Sequence, residues 1–162
     1  MVAKCEWDQE LDMTSLLILN GPNLNLLGLR QPEVYGRTTL AEVEALCQGR
    51  AIDRSVVLAF RQSNHEGQLL DWIHGARGTQ DGIILNAGAY THTSIALMDA
   101  LSSAEVPAIE LHLSNVHARE DFRHHSFIAR VAVGLICGFG PEGYLLAIDA
   151  MLGHLEKRKV QG

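Results

Sequence analysis

Leu16-Leu17-Ile18-Leu19 leads directly into Asn20-Gly21-Pro22-Asn23-Leu24-Asn25, and this passage decides the fold. Four apolar side chains in a row, with no polar residue at alternate places, describe a strand covered on both faces. The abrupt change to Asn, Gly and Pro marks the end of that strand and the start of a turn. Further strand-length apolar runs lie downstream at residues 56–60, 83–85, 108–113 and 131–136.

Between these runs the spacing becomes helical: Leu40, Val43 and Leu46; Leu69, Ile73 and Ala76; Leu97, Leu101 and Ala104; then Leu145, Ile148, Leu152 and Leu155. Thr39 with Glu42 and Ser63 with Glu66 each fit a capping box, and Pro141 after Gly140 fits the first turn of the last helix. Strands buried on both faces need helices on both sides, a condition met by a parallel, doubly wound sheet. Five such strands predict one α/β domain of flavodoxin-like order over residues 15–156. An N-terminal extension at 1–14 precedes it and a C-terminal tail at 157–162 follows.

Composition removes several classes of function. A chain of 162 residues with 47% hydrophobic side chains can bury on the order of 70% of its unfolded surface, so it needs no metal or disulfide to hold together. Cys5, Cys47 and Cys137 are far apart and form no C-x-x-C pair, which reads as reduced, structural thiols. Against 19 Asp+Glu there are 13 Lys+Arg, a formal charge of −6, and the one basic run is Lys157-Arg158-Lys159. Nucleic acid and anionic membrane surfaces are therefore not expected partners. No apolar run approaches the roughly 18–20 residues that cross a bilayer, and residues 1–14 are polar and acidic where a signal peptide needs an apolar centre. The expected location is the cytoplasm.

In an open α/β sheet the ligand site lies beyond the carboxyl ends of the strands, near the point where strand order reverses. The first strand ends in the Asn20–Asn25 passage, the third in Asn86-Ala87-Gly88-Ala89-Tyr90-Thr91-His92 and the fourth in His112-Leu113-Ser114-Asn115. In a 2-1-3-4-5 order these three ends are neighbours, so their amides, hydroxyls and imidazoles converge on one small polar pocket. One such loop alone would be ordinary turn chemistry. Turn chemistry does not explain His92 and His112 at the same rim.

The first connection, from Gly21 to about Arg37, is long and has no helical period, the character of a lid. It holds Arg30 and Tyr35. A phenol with a pKa of ~10 is a poor base at neutral pH, but an adjacent guanidinium favours the phenolate, so Tyr35 is a candidate general base. A packing anchor and a solvated charge are the plainer readings of the same two residues. The segment His117-Ala118-Arg119-Glu120-Asp121-Phe122-Arg123-His124-His125-Ser126 is cationic within an acidic chain. It suits a carboxylate or phosphate, or its charges pair with Glu120 and Asp121 on a solvated turn.

No metal is expected: the eight histidines include no H-E-x-x-H motif, and adjacent His124 and His125 do not easily face one ion. Neither a G-x-G-x-x-G after the first strand nor a G-x-x-x-x-G-K-[ST] occurs, so no nucleotide cofactor is expected either. Lys4, Lys157 and Lys159 all lie in terminal segments, which leaves no core amine for Schiff-base chemistry.

Five blocks taken in order, Asn20–Gly28, Glu33-Val34-Tyr35-Gly36, Gln62-Ser63-Asn64-His65-Glu66-Gly67, Asn86–Ser94, and Glu110–Asn115 with Arg123-His124-His125-Ser126, resemble type II 3-dehydroquinate dehydratase. The resemblance runs from about Leu16 to Leu155. It implies a flavodoxin-like subunit that removes water from 3-dehydroquinate to give 3-dehydroshikimate, without cofactor, in the shikimate route or in quinate breakdown. Carried across by position, it puts the base on Tyr35, the loop arginine on Arg30 and the proton donor on His112. Glu110 supports the histidine, and Asn23 helps hold a water near the enolate oxygen. Substrate contacts fall on Asn86, His92, Asp99, Leu113, Ser114 and Arg123. The family's assembly implies that Asp99 reaches a neighbour's site within a trimer, four trimers forming a homododecamer. The extended N-terminus is the one departure. A non-catalytic binding module on the same fold would keep Asn86 and Arg123 but would not need Tyr35 and Arg30 on a loop.

Overall fold

In the computed structural model, which describes residues 13–29 and 37–161, the deciding passage forms β1 (Ser15–Asn20), an inner strand of a parallel sheet. β1 lies between β2 (Val57–Gln62) and β3 (Gly82–Asn86); β4 (Ala108–His112) pairs with β3, and β5 (Gly134–Cys137) closes the far edge. The order is β2-β1-β3-β4-β5, the expected doubly wound arrangement. Helices α1 (Leu40–Asp53), α2 (Glu66–Ala76), α3 (Ile95–Ala104) and α4 (Glu142–Gln161) cover it.

The strand pleat divides the core. Leu16 and Ile18 join Ile84, Ile109 and Leu111 beneath Val43 and Cys47 of α1 and Ile148 of α4. Leu17 and Leu19 turn the other way and pack with Ile83 and Leu85 against Leu69 and Ile73 of α2 and Leu97 of α3. Each Leu or Ile so buried stabilises the fold by about 1.5–3 kcal/mol relative to exposure. Burial on both faces holds for the three inner strands and relaxes at the edges, where Val57 is 54% and Leu135 is 39% exposed. Cys47 is a packing group: loss of water, with Glu44 adding to it, pushes its thiol up to about 12. Among the described residues no helix is long and apolar enough to cross a membrane.

Some boundaries differ from the sequence reading. Thr39 and Glu42 do form a reciprocal capping box, with the Thr39 N–H donating to Glu42 Oε2 at 2.7 Å. Ser63 does not cap α2. Its hydroxyl accepts the His65 N–H at 3.0 Å, closing a turn ahead of the helix, so that Glu66 is the first helical residue. The run at 131–136 becomes strand only from Gly134. Val131 and Ala132 instead donate backbone N–H groups to Ile128 in a turn that lays Val131 against the core.

Register levels the carboxyl ends of the inner strands, with Asn20 opposite Asn86 and Leu85 opposite Glu110. Beyond them the first loop touches the third: Gly21 N–H donates to Asn86 C=O at 2.7 Å, and a Cβ on Gly21 would lie 2.7 Å from the Ala87 carbonyl carbon. No side chain fits between the two backbones. Gly21→Ala should therefore cost about 1–3 kcal/mol, measured as a lower urea midpoint with an unchanged slope. An unchanged midpoint would mean that the loops separate freely.

Candidate active site

The levelled ends of β1, β3 and β4 open into a cleft of about 110 Å³ lined by Asn23, Asn86, His92, His112, Leu113, Ser114, Arg119 and Arg123. Behind it stands Glu110, 0% exposed on β4. Glu110 Oε1 accepts the Nε2–H of His112 at 2.7 Å and is also bonded by the Thr91 hydroxyl, while the Ser126 hydroxyl lies 2.8 Å from Oε2. Loss of water pushes the Glu110 carboxyl up. The bonds from His112, Thr91 and Ser126, with the charge of His112, outweigh that and hold it below its ordinary 4.5. Since a carboxylate only accepts, His112 carries hydrogen on Nε2 and offers Nδ1 to a ligand.

His92 comes from the turn after β3. Its Nδ1 donates to the His125 carbonyl at 2.7 Å, and its ring lies nearly parallel to that of His112, centroids 6.4 Å apart. Loss of water lowers the His92 pKa more than the His125 carbonyl raises it, and the charges of His112 and Arg123 lower it further, so the ring is neutral at pH 7. Asn23 holds a left-handed backbone, φ 67°, with its N–H donating to Asn64 Oδ1 at 2.9 Å. Gln62 Nε2 bonds the same oxygen at 3.0 Å, and Tyr90 donates to the Asn64 carbonyl at 2.9 Å. The turn after β2 thus clamps the first loop. On the opposite rim Arg123 Nε donates to Glu120 at 2.8 Å, and Arg119 Nε lies 3.6 Å from the same carboxylate.

Of the sequence candidates, the structure brings Asn23, Asn86, His92, His112, Leu113, Ser114 and Arg123 together, with Glu110 behind them. Asp99 is exposed on α3 and lines no part of this cleft. Arg30 and Tyr35 lie outside the described residues. Thr91, Ser126, Asn64 and Tyr144, which bonds Asn86, received no role from sequence. The first three sat inside the quoted motifs, but the signal that would single them out, a buried acid or a loop carbonyl needing donors, exists only once the chain is folded. Among the described residues no group of three or more His, Cys, Asp or Glu side chains could hold a metal ion. An imidazole oriented by a buried carboxylate, amides and guanidinium groups in a small cleft suit a polyhydroxylated carboxylate, and the imidazole, once protonated at Nδ1, can deliver that proton to one of its oxygens.

The sequence profile of the family described as dehydroquinase class II matches residues 14–152. A 3-dehydroquinate dehydratase of Ruegeria pomeroyi is 64% identical over 143 residues, covering 88% of this chain and 96% of that protein. One from Dinoroseobacter shibae is 61% identical over 140 residues, covering 86% and 93%. Among solved structures, a type II dehydroquinase from Butyrivibrio crossotus superposes with a TM-score of 0.85 at 41% identity, over 86% of this chain and 98% of that one.

Glu110 makes a pH prediction. Because its native pKa is lowered, the unfolded chain takes up the proton first on acidification. Its stabilisation is then full above about 4.5 and is lost as pH falls through the lower native value. Glu110→Gln should cost about 1–3 kcal/mol at pH 7. The gap to the wild type should narrow below pH 4.5 when urea unfolding is followed from pH 7 to 3. Parallel curves for the two proteins would contradict this.

Proposed function

The chain belongs to the class II dehydroquinase family, and from that premise we propose that its cleft dehydrates 3-dehydroquinate to 3-dehydroshikimate, in the shikimate route or in quinate breakdown. The observation that carries this reading is the buried Glu110–His112 pair facing a cleft lined by Asn86, His92 and Arg123. The ketone makes its α-proton removable, giving an enolate. The neighbouring hydroxyl leaves on the opposite face once it is protonated.

In this reading Tyr35 as phenolate takes the proton, Arg30 favours the phenolate and stabilises the transition state, and a water held with help from Asn23 donates to the enolate oxygen. His112 enters this step as the imidazolium, with Nε2–H held by Glu110, and gives its Nδ1 proton to the leaving hydroxyl, which departs as water. Glu110 fixes the ring and balances its charge. The substrate carboxylate meets Arg123 or the amides near Leu113 and Ser114, and the ring hydroxyls meet Asn86 and His92. The enzyme acts in the cytoplasm with no metal or organic cofactor, and the terminal placement of all three lysines supports the absence of a Schiff base.

The same reading assigns a homododecamer of four trimers, with Asp99 completing a neighbour's site. The exposure of Asp99 and of Ile95 (53%) on α3 supports that face as a subunit boundary. Closed rings join unlike faces, so the α3 face of one subunit would meet the cleft side of the next.

The direct test adds 3-dehydroquinate and follows an ultraviolet-absorbing enone; no absorbance would reject the reading. Tyr35→Phe should lower kcat by at least about a hundredfold while leaving ligand binding nearly intact. Arg30→Ala should act in the same direction, and an unchanged basic limb in its pH–rate profile would argue against its coupling to Tyr35. Asp99→Ala should weaken substrate binding, and its mixtures with Tyr35→Phe subunits should show activity that depends on composition. A fully active monomer under light scattering would remove the role of Asp99.

A further inference from the structure

Asn86 reaches the cleft with the orientation of its amide already decided by two partners, the Gly88 backbone N–H on the cleft wall and a buried tyrosine outside it. The chain of hydrogen bonds begins on β2, where the Arg61 backbone carbonyl can only accept; it takes an N–H of Asn20 Nδ2 at 3.1 Å. Asn20 Oδ1 is thereby turned the other way and accepts the Tyr144 hydroxyl hydrogen at 2.6 Å. Having donated its one hydrogen, the Tyr144 oxygen accepts from Asn86 Nδ2 at 3.0 Å. Asn86 Oδ1 then meets the Gly88 backbone N–H at 3.3 Å, a group that can only donate. The backbone group at each end acts in one sense only, so every link between them has one permitted direction.

Burial makes this direction binding. Asn20, Asn86 and Tyr144 are 0%, 2% and 0% exposed, so solvent does not substitute for a missing link. Loss of water also pushes the Tyr144 phenol well above its ordinary 10, against the smaller opposing effect of its bond from Asn86, and this keeps its hydrogen available to donate. The tyrosine stands in the first turn of α4, with its N–H donating to the Pro141 carbonyl at 3.1 Å, so the helix start carries the hydroxyl to the ends of β1 and β3.

We propose that Tyr144 is a positioning residue for the reaction, acting through Asn86: it locks the amide so that the second Nδ2–H of Asn86 is the donor offered to a substrate oxygen. The assignment rests on the proposed dehydration of 3-dehydroquinate. Without the Tyr144 hydroxyl only the longer Gly88 N–H bond, at 3.3 Å, holds the amide against flipping. A flipped Asn86 would present an acceptor where the substrate hydroxyl needs a donor.

The test is a double-variant cycle in the full-length enzyme with 3-dehydroquinate as the probe, using Tyr144→Phe, Asn86→Ala and both together. Tyr144→Phe should raise KM about tenfold, the worth of one hydrogen bond, with kcat within about threefold of the wild type. In the Asn86→Ala background the same change should leave kcat/KM within about twofold, because two residues acting as one unit do not add. Effects that multiply would make Tyr144 a packing residue and overturn the assignment alone; a wild type without turnover would overturn it together with the reading it rests on. If Tyr144→Phe does not fold, the cycle is read on Asn20→Ser, which keeps the tyrosine but withdraws its fixed acceptor. Loss of folding in both would mark the three side chains as a folding element and equally overturn the proposal.

Discussion

The most demanding feature of this protein is a carboxylate with no exposure to water. Taking a carboxylate such as Glu110 out of solvent costs several kcal/mol, and it is tolerated only where donors surround it. Those donors come from three separate places in the chain: His112 on the same strand, Thr91 in the turn after β3 and Ser126 in the loop after β4. One charge therefore ties two loops to one strand, and the same bond that satisfies it sets the tautomer of the histidine facing the cleft. Structural necessity and chemical function are not separable at this point of the molecule.

A second buried polar system lies one strand over, where Asn20, Tyr144 and Asn86 join the ends of β1 and β3 to the start of α4. Both systems break the apolar pattern that builds the rest of the core, and both do so at the carboxyl edge of the inner strands. Parallel pairing explains the coincidence. With Asn20 level with Asn86 and Leu85 level with Glu110, the last residues of three strands form one layer, so polar groups placed there by separate stretches of sequence become neighbours. The sheet is insulated by apolar helices elsewhere, and the local dielectric makes each satisfied bond count for more and each missing one cost more.

This explains what could be read before folding. β1, β3 and β4 were legible because burial on both faces leaves no alternation to confuse them, and strand order followed from the helices between them. The run at 131–136 was less legible: Val131 is apolar because it packs from a turn, not because it is strand, and composition does not distinguish the two. Ser63 misled for a similar reason, since a hydroxyl before a helix serves a preceding turn as readily as a cap. At the site, Asn86, His92 and His112 could be gathered by the strand-end rule alone, while Arg123 stood out only as part of a cationic segment in an acidic chain. Tyr144 could not, because its partner Asn20 is 124 residues away and a hydrogen bond at that separation leaves no periodic trace. Asp99 sits on a helical face that periodicity reads as solvent, and it is exposed there.

Charge poses the remaining question, since an anionic substrate must approach a chain of formal charge −6. At physiological salt the Debye length is about 8 Å, so most of that charge is screened from a ligand at the cleft. What the ligand meets is the rim: Arg119 and Arg123 beside the neutral His92. Among the described residues Arg123 bonds Glu120 through its Nε, and the paired terminal nitrogens of a guanidinium are the ones suited to grip a carboxylate. Glu120 is more than half exposed, so its pull on the arginine is weakened by water, whereas a carboxylate entering the cleft would meet the same cation with less solvent between them. The bond to Glu120 thus holds the guanidinium in place without neutralising it for the ligand, and an acidic protein keeps a cleft that favours anions.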